Sequence, residues 1–292
     1  MSITVIVVSY NAILSLRACL ESLTRQPAAT EIIVSDCSAE DPAIVLGPLF
    51  PQVRFLYFAE KRTVPQLRWA ALAASGPDIV ASTEARCVPG PDWASTIERV
   101  HHEWPDAPAV GGQVSIAQPA DAMDFGLFLC EYGPFAAPVP IGPAANLTGA
   151  NISFKRSCCE QLRPLLDAGH WETVLMDQWV LEGKPLILSN AQVTFWNSMS
   201  LATILQQRFT YGRGYAAVRT ESSGRSRRFL FALFCPLLPL LLCARLARLA
   251  VQRRFVAAFL RAFLWVFVFQ IAWSAGEFTG YAWGASRKNE IF

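Results

Sequence analysis

Residues 3–11 read Ile3-Thr-Val-Ile-Val-Val-Ser-Tyr-Asn11. The first six are almost all apolar and β-branched, which is typical of a strand buried on both faces of a parallel sheet. Beyond Asn11, apolar residues recur at helical spacing, at Ile13, Leu16, Leu20 and Leu23. The stretch therefore predicts a strand followed by an amphipathic helix, the opening unit of an α/β fold.

The same alternation continues along the first half of the chain. It predicts further strands over residues 31–34, 53–58, 79–82 and 109–116, and helices over 64–75 and from about residue 92. Strands and helices in this order predict a doubly wound mixed sheet flanked by helices. Ligands of such sheets bind at the carboxyl ends of the strands, so polar residues that follow strands are the first candidates for a site.

The second half of the chain has a less regular pattern. Residues 118–146 are rich in proline and glycine, which predicts a loop region. Beyond them we expect a short strand over 150–154, helices over 156–167, 171–182 and 201–219, and one or two strands within 184–196. His101 and His102 are adjacent on the helix that begins near residue 92, and we expect them to face solvent.

Two apolar runs, over residues 229–244 and 255–275, follow this α/β pattern. The first contains Pro236 and Pro239 and is about 16 residues long, which is short of the roughly 20 that a helical span needs. The sequence thus predicts a domain over 1–220 and a membrane-associated helical tail over 221–292. A hairpin, a re-entrant segment and an interfacial helix followed by one span all remain open as topologies.

Arginine is concentrated around the apolar runs. Eleven arginines lie between Arg208 and Arg261, against one acidic residue, Glu221. This basic collar suits either anionic lipid headgroups or the ordinary flanks of membrane segments. The net charge of +2 gives no sign of a nucleic-acid partner.

Two features favour the cytoplasmic side of a cell inner membrane for the 1–220 domain. The start of the chain has no signal-peptide pattern. The eight cysteines show no metal-binding spacing and are expected to be reduced core residues.

Three acidic residues occupy positions where the predicted topology places a crevice. Asp36 follows the second strand, Glu84 follows the fourth, and Asp177 lies in the helical segment of the second half. A single acid at a loop start is usually a cap or a solvated residue. Three at such positions predict one shared site.

Longer motifs resemble family 2 glycosyltransferases of the GT-A type, over roughly residues 3–215. Residues 17–26 resemble "CLxSLxxQ", residues 31–41 resemble "EIIVVDNGSTD", and residues 78–93 resemble the stretch with the DxD motif and "PxPxW". Residues 149–156 resemble "GxNxxFRR", Met176-Asp177 resembles "ED", and residues 206–214 resemble the membrane-proximal "QRxRYGRG".

The resemblance implies a role for each matching residue. The loop of Ser9, Tyr10 and Asn11, together with Asp36, would hold the nucleotide of a sugar donor. Asp177 would be the general base of an inverting transfer. Asn151, Arg208 and Arg213 would contact the acceptor or a diphosphate; for the two arginines, anchoring at a membrane interface is an equal alternative.

The DxD position departs from the family pattern, because it reads Glu84-Ala85-Arg86. Three interpretations remain open. Glu84 alone binds Mg²⁺ or Mn²⁺ with help from the diphosphate; Arg86 replaces the metal as the charge beside the leaving group; or the site no longer catalyses.

The sequence as a whole predicts transfer of a sugar from a nucleotide-sugar donor to a lipid-linked or membrane-presented acceptor, as in polysaccharide biosynthesis. Membrane lipids are the other expected partners. One alternative is a nucleotidyl- or phosphosugar-transferring enzyme on a similar sheet. The other is an inactive, membrane-tethered nucleotide-sugar-binding subunit, which the altered DxD favours.

Overall fold

The computed structural model describes residues 2–26, 28–161, 164–165, 170–220 and 224–284. The chain divides into two compact units. The sheet unit comprises Met1–Ala117 and Phe135–Ser198, and the helical unit comprises Gln118–Pro134 and Met199–Phe292. This division differs from a boundary at residue 220, because residues 201–219 and 122–132 form helices that pack within the helical unit.

The described part of the sheet unit contains nine strands in one mixed sheet, which confirms the predicted fold class. The order is β3-β2-β1-β4-β8-β6-β9-β5, and β7 pairs with β9. The strands are β1 Ile3–Ser9, β2 Ala29–Asp36, β3 Val53–Tyr57, β4 Ile79–Glu84, β5 Cys87–Pro89, β6 Ala109–Ile116, β7 Gly142–Ala144, β8 Asn151–Lys155 and β9 Leu186–Phe195.

Strand β1 lies at the centre of the parallel part of the sheet. Every residue of β1 is buried, as its unbroken apolar run predicts. It pairs in parallel with β2 on one side and β4 on the other. Ser9 is therefore opposite Asp36, and Val8 is opposite Glu84, so three strands end together at one edge, which we call the carboxyl edge.

Helices pack on this sheet in the segments where the sequence predicts that strands and helices alternate. Helix α3 begins with a capping box between Thr63 and Gln66 and has Pro65 in its first turn. The helices of the sheet unit are α1 Ile13–Leu23, α2 Ala43–Leu46, α3 Val64–Ala74, α4 Trp93–Glu103, α6 Arg156–Gln161 and α7 Glu172–Leu181. Part of the predicted helix over 156–167 lies outside the described residues.

The helical unit contains α5 Ala122–Tyr132, α8 Leu201–Arg219, α9 Arg225–Phe234, α10 Leu238–Gln252 and α11 Val256–Trp283. The prediction of a loop over 118–146 is wrong for α5 and for strand β7. Asp121 and Asp124 cap α5 reciprocally, and the helix packs against α11. Tertiary packing thus outweighs the local content of proline and glycine, which lies mainly beyond residue 132.

Helices α8 and α11 approach each other closely through glycines. A Cβ atom on Gly212 would overlap the carbonyl of Trp273, and one on Gly276 would overlap the carbonyl of Phe209. Gly280, four residues after Gly276, faces α8 in the same way. Small residues at this spacing let two helix backbones come into direct contact.

Two helical stretches of the described chain are long and apolar enough to cross a membrane. They are Ser226–Gln252, whose most apolar 18 residues have a mean hydropathy of 2.2, and Val256–Trp283, whose most apolar 18 residues have a mean hydropathy of 1.8. The first is longer than the 16 residues expected, because a 3₁₀ turn over Cys235–Leu237 joins α9 to α10 at the two prolines.

His101 lies inside the sheet unit, so the expectation that it faces solvent is wrong. It has no exposed surface, and its Nε2 lies 2.9 Å from the Ser153 hydroxyl. Because that hydroxyl donates to the carbonyl of Val110, Nε2 carries the proton and donates to Ser153. Burial, helped by Lys155, lowers the pKa of His101 to about 3.

This burial predicts a pH-dependent stability. Below pH 6.5 the unfolded chain binds a proton at His101 that the folded chain excludes down to pH about 3. Stability is therefore lost as pH falls from 6.5, by about 1.4 kcal/mol per pH unit from this group. The melting temperatures of wild type and His101→Gln, measured between pH 7.5 and 4.5, should approach each other as pH falls. A difference in melting temperature that stays constant over this range would contradict the burial of a neutral His101.

Candidate functional site

A hydrogen-bonded network joins the two loops that follow β1 and β2. The Ser38 hydroxyl accepts a hydrogen bond from the Asn11 backbone N–H at 2.6 Å and donates to the Asp36 carboxylate at 2.9 Å. The Asn11 side-chain oxygen accepts from the Ala39 backbone N–H at 3.1 Å. Asn11 has a φ of 46°, which asparagine tolerates better than most residues. The network therefore holds both loops in one conformation at the carboxyl edge.

Asp36 is the buried centre of this network. Its carboxylate is 1% exposed and accepts hydrogen bonds from both the backbone N–H and the hydroxyl of Ser38. Burial raises the pKa of Asp36, and the hydrogen bonds from Ser38 act in the opposite direction. The carboxylate shapes the loop from within, while Tyr10 and Asn11 remain accessible at the surface.

The Glu84-Ala85-Arg86 turn follows β4 at the same edge. The Ala85 N–H donates to the carbonyl of Val8 at 3.0 Å, and the Arg86 carbonyl accepts from the Trp196 N–H at 2.8 Å. Ala85 is buried, whereas Glu84 and Arg86 are half-buried. The turn is thus tied to β1 and to the end of β9, with its charged side chains on the accessible side.

The DxD motif of the family 2 glycosyltransferases that the sequence resembles implies a divalent-cation site at this turn. The residues of the turn do not fit such a site. Such cations take several oxygen ligands, usually carboxylates. Here Glu84 supplies one carboxylate, Ala85 supplies a buried methyl group, and Arg86 supplies a cation. Within the described residues, no three His, Cys, Asp or Glu side chains cluster in a way that could hold a metal.

A buried ion pair, which the sequence analysis missed, lies beside this edge. Arg68 on α3 pairs with Glu172 at the start of α7, and the two residues are 1% and 5% exposed. Arg68 also donates to the Ser82 hydroxyl at 2.9 Å and to the Gly149 carbonyl at 3.2 Å. One guanidinium thus joins α3, β4, α7 and the turn before β8. Its sequence signal is a lone arginine within the otherwise Ala-rich α3.

Helix α7 runs away from the carboxyl edge. Glu172, at its start, lies against Gly149, close to where β8 begins beside the end of β4. Strand β9, which follows α7, begins at Leu186 beside Ala109, at the level of the start of β4. Asp177 is exposed and lies about 7.5 Å further along the helix than Glu172.

Asn151 is 1% exposed and saturated by partners in the core. Its side-chain oxygen accepts from the Trp93 indole N–H at 2.8 Å, and its amide nitrogen donates to the carbonyls of Gln113 and Ala191 at 2.8 and 2.9 Å. These bonds join α4, β6, β8 and β9. Contact of Asn151 with an acceptor therefore stays a prediction, and the visible role of the side chain is structural.

Arg208 and Arg213 belong to the helical unit, on α8. Arg208 is 4% exposed, donates to the Gln270 side chain at 3.3 Å and lies over the Trp273 ring at 4.6 Å. Arg213 donates to the carbonyl of Gly284, beyond the end of α11, at 3.1 Å. Both guanidinium groups are engaged within their own unit, and phosphate contacts by them stay a prediction.

The residues that form the carboxyl edge match a known protein family. The model of glycosyl transferase family 2 matches residues 4–121, which contain β1 to β6, the Asn11–Asp36 network and the Glu84–Arg86 turn. This part of the chain is a family 2 glycosyltransferase domain. No curated protein matches the chain.

Solved structures show the same fold over most of the chain. One is the mannosyltransferase PcManGT from Pyrobaculum calidifontis in complex with GDP-Man and Mn²⁺, at 18% identity and a TM-score of 0.56 over 94% of this chain and 86% of that one. Another is S. aureus TarS 1–349, at 11% identity and a TM-score of 0.51 over 98% and 93%. The predicted GT-A fold is confirmed.

The packing around the Arg68–Glu172 pair predicts that Gly149 does not tolerate a larger side chain. A Cβ on Gly149 would overlap the Glu172 carboxylate and approach Arg68 Nη2 to 3.1 Å. Gly149→Ala should therefore displace the carboxylate, and breaking a buried pair costs about 3–5 kcal/mol. Thermal unfolding should show a melting temperature lower by several degrees. Gly76→Ala, where a Cβ meets open space, is the matched control; equal melting temperatures for the two variants would refute this packing.

Proposed function

We propose that this family 2 glycosyltransferase moves a sugar from a nucleotide-sugar donor to a hydroxyl group of a membrane-presented acceptor. The observation that carries the proposal is the Asn11–Ser38–Asp36 network, which fixes two loops at the carboxyl edge inside the matched region. Ligands of doubly wound sheets bind at this edge. The similar mannosyltransferase is described as a complex with GDP-Man.

The proposed reaction is a single displacement with inversion at the anomeric carbon. The acceptor oxygen forms a bond to that carbon, the bond from the carbon to the diphosphate oxygen breaks, and its electron pair stays on the diphosphate. The acceptor proton passes to a carboxylate that acts as general base. Because a hydroxyl is a poor nucleophile at neutral pH, the carboxylate has to lie within hydrogen-bond reach of it.

Two carboxylates on α7 are candidates for this base. Asp177 is the sequence-based candidate, and it is exposed to solvent and to any acceptor. Glu172 lies at the carboxyl edge, where the donor would bind, and its orientation is fixed by Arg68. Since proton transfer requires proximity to the reacting hydroxyl, the geometry favours Glu172.

The helical unit supports attachment to a membrane. Helix α11 buries its polar side chains Gln270, Ser274 and Glu277, each about 5% exposed or less. The outward surfaces of α10 and α11 present large apolar side chains, with Leu241 at 64% and Leu264 at 67% exposed. Their exposed arginines, Arg245, Arg248 and Arg261, lie in the half of each helix nearest the junction between the two. A helix with polar residues inside and leucine outside matches a lipid environment rather than water. We propose a cell inner membrane, with the sheet unit in the cytoplasm and lipid phosphates beside the basic collar.

A membrane-fraction and transfer experiment tests this proposal. The full chain should remain with membranes after an alkaline wash and, once reconstituted in lipid vesicles, should release a nucleoside diphosphate from one member of a panel of nucleotide sugars. A lipid extract added as acceptor should increase the release, because transfer then competes with slow hydrolysis. Recovery of the chain in the soluble fraction would contradict membrane attachment.

The competing proposal is an inactive binding subunit, which the loss of the second DxD carboxylate favours. It predicts that a nucleotide sugar raises the melting temperature of the chain without any release of nucleoside diphosphate. Use of a nucleoside triphosphate in place of a nucleotide sugar would point instead to a nucleotidyl-transferring enzyme. Absence of both binding and release across the panel would contradict the glycosyltransferase proposal.

Paired substitutions on α7 separate the two candidate bases. Glu172→Gln should lower turnover about 100-fold or more while donor affinity changes little, because an amide cannot accept the proton. Asp177→Asn should keep most of the activity, and Glu172→Asp, which retains a carboxylate, should recover part of it. Melting temperatures show whether each variant is folded. Loss of turnover in Asp177→Asn alone would assign the base to Asp177.

A further inference from the structure

We infer that the diphosphate of the donor is bound by the guanidinium of Arg86, without a divalent metal ion. This inference rests on the proposed function and names the group that recognises the donor at the same site. The Glu84–Arg86 turn does not meet the requirements of a divalent-cation site, because it offers one carboxylate and one cation and, among the described residues, belongs to no cluster of metal-ligating side chains.

The net charge of the turn favours direct contact with a diphosphate. Two carboxylates facing a diphosphate repel it, so a DxD turn needs a cation between protein and ligand. Here Glu84 and Arg86 sum to zero charge. The turn therefore meets a diphosphate without repulsion, and the guanidinium offers N–H groups in the fork geometry that phosphate oxygens accept in pairs.

The position of the turn places Arg86 within reach of the phosphates of a bound nucleotide. Asp36 and Glu84 flank β1 from its two neighbouring strands, so their backbones lie about 10 Å apart across the edge. This is the length scale of a nucleoside diphosphate. A nucleoside seated on the Asn11–Asp36 loops can then extend its phosphates across the end of β1 to Arg86.

The backbone of the turn is rigid, which favours binding of a diphosphate without rearrangement. Backbone hydrogen bonds fix the turn to Val8 and to Trp196, and Cys87 pairs with Phe195 directly after it. The base of the Arg86 side chain is thus held in place before any ligand arrives. A preorganised cation is effective because the protein does not have to reorganise when charge develops on the leaving diphosphate.

The test measures binding of UDP and GDP to the full chain in detergent micelles by calorimetry, in EDTA and in Mn²⁺. For wild type, the affinity of the tighter-binding nucleotide should change by less than about twofold between the two conditions. Arg86→Ala should weaken it at least tenfold in both, while binding of the parent nucleoside is unchanged. Arg86→Lys, which keeps the charge but loses the fork, should weaken it less.

Arg86→Asp is the decisive variant, because it restores a second carboxylate to the turn. Its nucleotide binding should become dependent on Mn²⁺ and should be undetectable in EDTA. Arg99→Ala removes an exposed arginine of α4 that pairs with Glu103, and it should bind like wild type. Melting temperatures verify that each variant is folded.

The outcomes separate this inference from the proposed function. Wild-type binding that disappears in EDTA and returns with Mn²⁺ leaves a nucleotide-sugar transferase standing and overturns the role of Arg86. Equal affinities for wild type and Arg86→Ala overturn it as well. If wild type binds neither nucleotide in either condition, this inference fails, and the proposed function fails with it only when the panel of nucleotide sugars also gives neither binding nor release.

Discussion

The parallel pairing of β1 with both β2 and β4 is the constraint on which the site depends. Because β1 is flanked on each side by a parallel neighbour, the loops after Ser9, Asp36 and Glu84 meet at one edge. The pairing also explains the burial of every β1 side chain, since helices cover both faces of such a sheet. Residues far apart along the chain become a site only through this register.

The sequence contains enough information to predict this parallel half. Its strands are short apolar runs, and its helices have clear periodicity, so the bounds expected for β1, β3, α3 and β4 differ from the observed ones by about two residues or less. The sequence predicts a loop in place of helix α5 because the packing that stabilises the helix is on α11, which is more than 120 residues away in sequence. A local window contains no record of such a partner.

The candidate site was predictable only in part, because some of its residues are positioned by contacts with residues far away in sequence. Asp36 and Glu84 follow strands, and the topology rule finds them. Glu172 follows no strand, and its burial depends on Arg68, a residue on a different helix. Asp177 attracted attention because Met176-Asp177 resembles a two-residue motif, whereas the direction of α7, which decides which acid lies at the edge, depends on the pairing of β9. Two-residue motifs carry little information without that direction.

The Arg68–Glu172 pair explains how α7 and the turn before β8 stay ordered beside the site. A buried pair contributes little net stability compared with an apolar core, but removing one partner is costly. The Arg68 guanidinium also donates to Ser82 and to the Gly149 carbonyl, so displacing α7 or the turn before β8 would leave buried donors unsatisfied. The pair therefore restricts how far α7 and that turn can move relative to β4. Glycine at 149 is the residue that leaves room for this arrangement, because any larger side chain would occupy the place of the carboxylate.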